Sequence, residues 1–379
     1  MNWRFPYFNA ENNYVDWQEI ENVYSWFSDM KNIPQDPIWH GEGNVMIHTK
    51  MVINALLSLQ EFKQLNITEK HILFTAALMH DIEKRSTTTT EILDGKERII
   101  SPNHAKKGEF TTRIILYKNF DIPFSTREEI AKLVRYHGFP IWAIEKENVQ
   151  KSLIKISLEV NTKYLEIIAK ADVLGRICPD KEDLLLKIDL FKELCLENDC
   201  YGKSKKFKTD YSRYFYLNKE NSFLDFVPFE TSEFEVIILS ALPGSGKDFF
   251  ITNNFKEIPM LSLDEIRRKH KVSPTDKKKN GWVIQEGKEQ AKQFLRKKKT
   301  FVFNATNLTK EMRGKWISLC KDYNAKVRII YIEVPYKKLL NQNKNREFPI
   351  PENVLEKLIS KVEIPSFEEA DTIEFQINY

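Results

Sequence analysis

Glu235-Val-Ile-Ile-Leu-Ser-Ala-Leu-Pro-Gly-Ser-Gly-Lys-Asp248 is the stretch that decides the fold of the second half of the chain. A short β-rich apolar run, 235–240, enters a glycine-rich turn and then a helical pattern. A turn placed between a strand and a helix N-terminus turns backbone N–H groups toward an anion. Working outward, 300–304 and 327–333 read as two more buried strands, and Leu261-Ser-Leu ahead of Asp264 as another. Helical segments fall between and after them, over 287–296, 310–322 and 352–362. Strands alternating with helices predict a parallel sheet covered on both faces. Upstream the character is different: 45–62, 67–79, 127–136 and 154–176 carry apolar residues at helical spacing, with little β-alternation. Residues 201–233, rich in Lys, Asn and aromatics, show no clear period and read as a connector. The expected architecture is an all-α domain with linker over 1–215, then an α/β domain over 216–379.

The 379 residues suit two domains better than one. With 42% hydrophobic and 30% charged residues the chain can bury real cores, which excludes disorder as its main state. No apolar run approaches the ~18 residues of a membrane span, and Met1-Asn-Trp-Arg4 opens no secretory apolar region. Four cysteines (Cys178, Cys195, Cys200 and Cys320) form no CxxC pair, so a reducing, cytoplasmic setting without membrane contact is expected. A net charge of +4 neither identifies nor opposes a nucleic-acid partner.

Six of the seven histidines lie between His40 and His137, which points to metal chemistry in the first half. His80-Asp81 ends the apolar run 72–79. Burying two ionisable groups there calls for compensation, and a divalent cation supplies it. Imidazole together with carboxylate suits Mn, Zn, Ni or Co. Asp172, in Ala169-Lys-Ala-Asp-Val173, is a charge on an otherwise packed helix.

The series His48, His80-Asp81, Asp172 resembles the HD phosphohydrolase superfamily, whose signature is H…HD…D on a helical bundle. The resemblance implies that His48, His80, Asp81 and Asp172 hold a first divalent ion. It also implies that His104 and His137 hold a second ion with Asp81 bridging, and that Lys84 lies near the substrate phosphate. Arg176, beside Asp172, would offset charge on the phosphoryl oxygens. His104 sits in a loop-like stretch, Ser101-Pro-Asn-His104, and its alternative is a phosphate contact without metal. His40 and Glu42 resemble the run ahead of the first metal histidine in some RNA-processing members and would act behind the ligands or face substrate. His71 and His270 are read as ordinary core or surface histidines.

In the glycine turn, a P-loop by its context, the N–H groups of Gly244, Ser245 and Gly246 are expected to cradle ATP phosphates, with Lys247 reaching the β/γ oxygens. Two departures stand out. Ala241 occupies the first glycine position of the motif, and Asp248 replaces the usual Ser/Thr that offers Mg²⁺ a hydroxyl. Asn304 ends the strand that in such folds ends in an acid. The expectation is that the acid has moved to Asp248, which faces Mg²⁺ directly or through water.

Asp264, after the second strand, can accept a proton from an attacking hydroxyl, and Arg267 one turn on can hold a neighbouring phosphate. With Asn304–Arg313 and Gln342–Glu352 this looks like the 5′-hydroxyl polynucleotide kinase family, over roughly 235–379. The similarity implies Asp264 as general base, Arg267 on the substrate phosphate and Arg346 as a lid arginine over ATP. Phe348 stands where many relatives have a second basic residue. Arg313 is a secondary candidate for holding nucleotide or substrate. Lys203–Lys208 with Tyr211, Arg213, Tyr214 and Tyr216 interleaves cations and aromatics, a composition suited to a nucleic-acid strand; 277–279 and 296–299 add basic charge.

Both halves together resemble the bacterial HD-domain polynucleotide kinases in domain order, length and motifs. The resemblance implies end healing of RNA or DNA. The first domain would remove a 2′- or 3′-phosphate or open a 2′,3′-cyclic one, and the second would phosphorylate a 5′-OH from ATP with Mg²⁺, leaving ends that suit a ligase. Two rivals are a kinase–phosphohydrolase fusion acting on free nucleotides or other small molecules, and a nucleotide-gated binding module, to which Ala241 and Asp248 point.

Overall fold

Asparagine caps open the central helices of the first half. Asn44 accepts from Ile47 N at the start of α1 (Val45–Ser58). At α2 (Ile67–Met79) the Asn66 side chain accepts from Glu69 N while the Glu69 carboxylate accepts from Asn66 N, satisfying two otherwise orphaned donors. In this computed structural model, which describes residues 3–273 and 275–378, every α2 residue from His71 to Met79 is buried. A helix apolar all round belongs at the centre of its domain, and α2 packs there with Val52, Ile53 and Leu56 of α1.

The chain continues through an antiparallel hairpin, β1 (Thr89–Leu93) and β2 (Lys96–Ile100), closed at Asp94-Gly95 with both φ positive. Then come α3 (His104–Asn119), α4 (Phe124–Tyr136) and α5 (Thr162–Leu174). The expected helix over 154–176 is two: Val149–Ser157 ends, and Asn161 caps α5 through its side chain. A Cβ on Gly175, which follows α5, would lie 2.7 Å from Val52 N, so glycine is what lets the end of α5 rest on the α1 backbone.

Compactness divides the chain into Met1–Lys205 and Lys206–Tyr379. The expected division at 215/216 falls inside α6 (Asp210–Asn218), a helix tied to the second unit: Arg213 Nη2 donates to Ala370 O (3.3 Å) and Asp371 O (2.6 Å). Arg213 and Tyr216 are buried, and Tyr214 receives the Lys321 ammonium over its ring. Arg213, Tyr214 and Tyr216 of the aromatic and basic segment thus pack the second unit, while Lys203, Lys206 and Lys208 are exposed. In the 277–279 run, the Lys277 side chain lies outside the described residues.

The second unit holds β3 (Glu235–Ala241), α7 (Lys247–Asn254), β4 (Met260–Ser262), α8 (Leu263–Lys269), α9 (Lys277–Arg296), β5 (Phe301–Asn304), α10 (Lys310–Asp322), β6 (Lys326–Glu333), α11 (Tyr336–Lys344), α12 (Glu352–Ile359) and β7 (Thr372–Ile377). The five strands form one parallel sheet in the order β4-β5-β3-β6-β7. Its centre is the continuous apolar run of β3, flanked by Phe301–Phe303 and Val327–Ile332, as expected for strands buried on both faces. The edge strand β7, Thr-Ile-Glu-Phe-Gln-Ile, is an addition to the strands expected from the sequence, and its residues are only partly buried.

Arg313 is fully buried. Its guanidinium lies on Glu369 through Nε–Oε2 (2.7 Å) and Nη2–Oε1 (2.9 Å) and also donates to Asn307 O and Glu363 O. Removing one member leaves the other charge buried without a partner. Arg313→Met is therefore expected to destabilise the protein by about 3–5 kcal/mol in denaturant titrations, with Arg313→Met plus Glu369→Leu recovering most of the loss; equal losses in single and double variants would contradict this. Burial also pushes the Glu129 carboxyl up to about 7, against a hydrogen bond from Asn161 N. An unfolded chain releases that proton near the ordinary glutamate range, whereas the folded protein keeps it. Stability should therefore fall as pH rises from about 4.5 toward 7. Glu129→Gln should flatten that part of the stability–pH curve, and an unchanged slope would refute the assignment.

Candidate metal centre and phosphate-binding turn

Five helix ends meet in the first unit and deliver the six expected ligands to one place. His48 lies in the first turn of α1, His80-Asp81 follows α2, His104 opens α3, His137 follows α4, and Asp172 lies in the last turn of α5. His48 Nε2 is 3.1 Å from Asp172 Oδ1, 3.7 Å from Asp81 Oδ2 and 3.3 Å from His80 Nε2. On the other side of Asp81, Oδ1 lies 3.3 Å from His104 Nε2 and 4.0 Å from His137 Nε2, and those two nitrogens are 3.5 Å apart. His104 is thus the first residue of a helix, after Asn103 in the left-handed region, and not part of a loop.

The far nitrogens explain why these rings face one another. His80 Nδ1 lies 2.7 Å from Ala77 O, His104 Nδ1 2.7 Å from Ser101 O, and His137 Nδ1 2.9 Å from Val134 O. His48 Nδ1 is 2.8 Å from Glu42 Oε1. A carbonyl only accepts, so Nδ1 of His80, His104 and His137 carries the proton and Nε2 is left as a lone pair; the Glu42 carboxylate favours the same tautomer of His48 by proximity, without hydrogen-bond geometry. Four lone pairs and two carboxylates converging in a buried space repel one another unless a cation lies among them. Ligand atoms on an ion with ~2.1 Å bonds sit roughly 3.0–3.4 Å apart; the His48–Asp172, His48–His80 and Asp81–His104 separations lie in that range, and the other three are wider, at 3.5–4.0 Å. Asp81 Oδ1, buried, receives no hydrogen bond. The donor set therefore fits one or two divalent ions with Asp81 shared.

Charge is arranged to match. Burial alone would raise the Asp81 carboxyl, but His80, Lys84 and His104 hold it well below the usual range. Burial acts likewise on Asp172, outweighed by Arg176 and His48. Burial, helped by His80 and His104, lowers His137 to about 3, so it is a neutral ligand at physiological pH. Lys84 Nζ sits 2.8 Å from Asp81 Oδ2 and donates to Gln35 Oε1 (2.7 Å). Arg176 grips Asp172 with Nε and Nη2. Gln35 went unnoticed in the sequence, where nothing sets it apart. Glu42 does more than precede His48: its carboxylate faces both His40 Nδ1 and His48 Nδ1 and accepts from Ile177 N (2.8 Å), tying the first ligand to the chain just beyond Asp172. His71 accepts from Phe5 N in the core, and His270 packs on Trp282.

In the second unit the glycine turn has the expected form. Gly244 and Gly246 have φ of 85° and 91°, values that favour glycine, and Gly246 leads directly into α7. Ser245 is buried and donates to Leu242 O, bracing the turn from within. Ala241 ends β3 without positive φ, so its methyl is accommodated. Burial lowers Lys247, while Asp248 and Asp264 act in the opposite direction. Asp248 Oδ1 accepts from Asn304 Nδ2 at 2.9 Å. Asp264 and Arg267 pair one turn apart on α8, Oδ1 to Nη1 at 2.5 Å, with Arg267 Nε also held by Asn280 Oδ1 (2.8 Å). Arg346 is exposed on the loop after α11. Asn343 shapes that loop by donating to Ile350 O and accepting from Ile350 N. Phe348 beside it is exposed.

Residues 45–177 match the HD domain family and residues 236–365 match the AAA domain family. The chain thus carries a helical HD domain followed by a P-loop domain with a five-stranded parallel sheet. Similar solved structures include a proposed kinase from Chloroflexus aurantiacus J-10-fl, 14% identical over 38% of this chain and 87% of that one, with a TM-score of 0.32. Another is a sugar kinase from Janibacter sp. HTCC2649, 13% identical over 38% and 84%, with a TM-score of 0.29. No described helix is long and apolar enough to cross a membrane.

Glu42 supports His48 from behind, so its loss should weaken the first ion without touching a ligand. Glu42→Gln is expected to lower that affinity by about 10- to 100-fold in metal titrations of the purified protein. An affinity equal to wild type would show that Glu42 is not needed to hold His48.

Proposed function

We propose that the chain is a bifunctional end-healing enzyme: the HD unit removes 2′- or 3′-phosphates from nucleic-acid ends, and the P-loop unit phosphorylates 5′-hydroxyls from ATP. The observation that carries the reading is a phosphohydrolase-type ligand set and a kinase-type acid–arginine pair in one chain. Divalent ions held by His48, His80, Asp81 and Asp172, and by Asp81, His104 and His137, would supply an activated water and neutralise phosphoryl charge. Lys84 and Arg176 keep the two carboxylate ligands ionised and place positive charge where a phosphoryl group would approach. In the kinase unit Gly244, Ser245 and Gly246 offer N–H groups to the ATP phosphates and Lys247 a cation. Arg346 closes from the loop, and Mg²⁺ near Asp248 balances the remaining charge. The second Asp264 oxygen, outside the Arg267 contact, would accept the hydroxyl proton as the nucleophile commits. Arg267, held by Asn280, would grip the adjoining phosphate of the acceptor. RNA or DNA ends are the proposed substrates, a nucleic-acid ligase the consumer of the products, and the cytoplasm the place.

One observation favours the rival reading, free nucleotides as substrates: Arg213 and Tyr216 are buried in the second unit, which leaves Lys203, Lys206 and Lys208 as the exposed cations of the basic aromatic segment. The deciding assay uses γ-labelled ATP with a 5′-OH, 3′-phosphate oligonucleotide, in competition with nucleosides and nucleotides. Label should appear at the 5′ end and phosphate leave the 3′ end; turnover of the small molecules alone would overturn the end-healing reading. Asp264→Asn should lower 5′ phosphorylation by roughly 10²–10⁴-fold. Lys247→Ala should spare 3′ dephosphorylation, and His80→Ala should spare the kinase. Loss of both reactions in a folded single variant would refute their independence.

A further inference from the structure

We infer that Asp248 is an exchanged magnesium ligand, its carboxylate supplied beside the glycine turn and aimed by the Asn304 amide of the neighbouring strand. This rests on the kinase reading of the P-loop unit. In P-loop phosphotransferases the ion is held by a hydroxyl following the lysine and by an acid from a neighbouring strand. Here both positions are altered at once: the residue after Lys247 is an acid, and the residue ending β5 is an amide. The charged and the neutral side chain have thus exchanged places.

The two side chains are in direct contact, and the contact fixes their orientation. An ionised carboxylate only accepts, so the Asn304 amide nitrogen must face Asp248 Oδ1, at 2.9 Å. The same nitrogen donates its other hydrogen toward Met260 Sδ at 3.6 Å. Asn304 Oδ1 is therefore turned away from both, and neither it nor Asp248 Oδ2 makes a hydrogen bond among the described residues. Asn304 is buried at the strand end while Asp248 is exposed beside the glycine turn, so a rigid amide aims a solvent-open carboxylate. Mg²⁺ is commonly held by one or two carboxylates together with substrate phosphates and water, and one aimed carboxylate meets that need. A site that had merely lost function would keep no reason for the second change. A carboxylate next to the phosphates without an ion would repel ATP.

The test is whether the exchange can be reversed. ATP binding by the whole chain is measured calorimetrically with Mg²⁺ and with EDTA, and Mn²⁺ in the nucleotide complex by electron paramagnetic resonance, for wild type, Asp248→Ser, Asn304→Asp and the double variant. Asp248→Ser should lose at least about tenfold of the Mg²⁺-dependent gain in ATP affinity, with metal-free binding unchanged or tighter, and the double variant should return to within about threefold of wild type. Asn304→Asp alone juxtaposes two carboxylates and should bind Mn²⁺ without nucleotide. Asp248→Ser with its full Mg²⁺ gain, or a double variant no better than Asp248→Ser, would overturn the exchange. A wild type that binds no Mg²⁺·ATP would overturn the kinase reading as well. Normal Mg²⁺·ATP binding with no oligonucleotide phosphorylation would sink only the substrate assignment.

Discussion

Mutual repulsion among buried lone pairs is the constraint around which the first unit is arranged. His48, His80, His104 and His137 each have Nδ1 against a carbonyl or carboxylate, leaving four Nε2 lone pairs directed at Asp81 and Asp172. Lys84 and Arg176 offset the two carboxylates, and the facing Nε2 pairs are relieved by a proton or a metal ion. Without an ion the nearest compensation is a proton on His80, whose burial would lower it but whose neighbour Asp81 pulls it up. The central helix α2 can be apolar all round because its polar end, His80-Asp81, is where the ion would sit. Caps on α1, α2 and α5 and the close approach at Gly175 serve the same arrangement, since each fixes where a helix ends and so where a ligand lies.

The second unit answers the same kind of electrostatic demand with backbone in place of imidazole. Its sheet brings the ends of β3, β4 and β5 side by side. The glycine turn, Asp264 and Asn304 follow or end those three strands and are neighbours for that reason. Ser245 and Asn343 then brace the turn and the Arg346 loop through hydrogen bonds to main-chain atoms, so the groups proposed to meet phosphate are carried on segments with defined shape. An energetic division follows: apolar strands stabilise the sheet, and the polar residues at their ends are left for chemistry.

Much of this was legible in the residues themselves. The run 67–79 forms a helix with those bounds because its capping residues and its apolar stretch agree, and the strand before Gly244 forms because a β-rich run meets a turn that strands and helices share. Ligand types were legible too, since six His and Asp residues have no comparable use in a small apolar core. Their supports were not: Ala77 O, Ser101 O and Val134 O act through the backbone, which residue identity does not encode, and Gln35 is reached only through the fold. The hairpin 89–100 offers little signal beyond Asp94-Gly95, because its strands are largely exposed. Pro102-Asn103 breaks the helical pattern and makes His104 read as loop, yet Asn103, in the left-handed region, directly precedes α3. Arg213 and Arg313 are buried for a reason the sequence does not carry: a charge in a sequence looks solvated, and only long-range partners such as Glu369 or the Ala370 and Asp371 carbonyls show otherwise.

The claim on which the account rests is that the converging imidazoles and carboxylates are a metal centre. Equilibrium dialysis of the metal-stripped full chain against Mn²⁺, Zn²⁺, Ni²⁺ or Co²⁺, followed by elemental analysis, tests it most directly. The account predicts saturable binding of up to two ions per chain, abolished by His80→Ala plus Asp81→Ala and reduced to one by His104→Ala plus His137→Ala. Binding that is absent from the wild type, or indifferent to both pairs of substitutions, would contradict it.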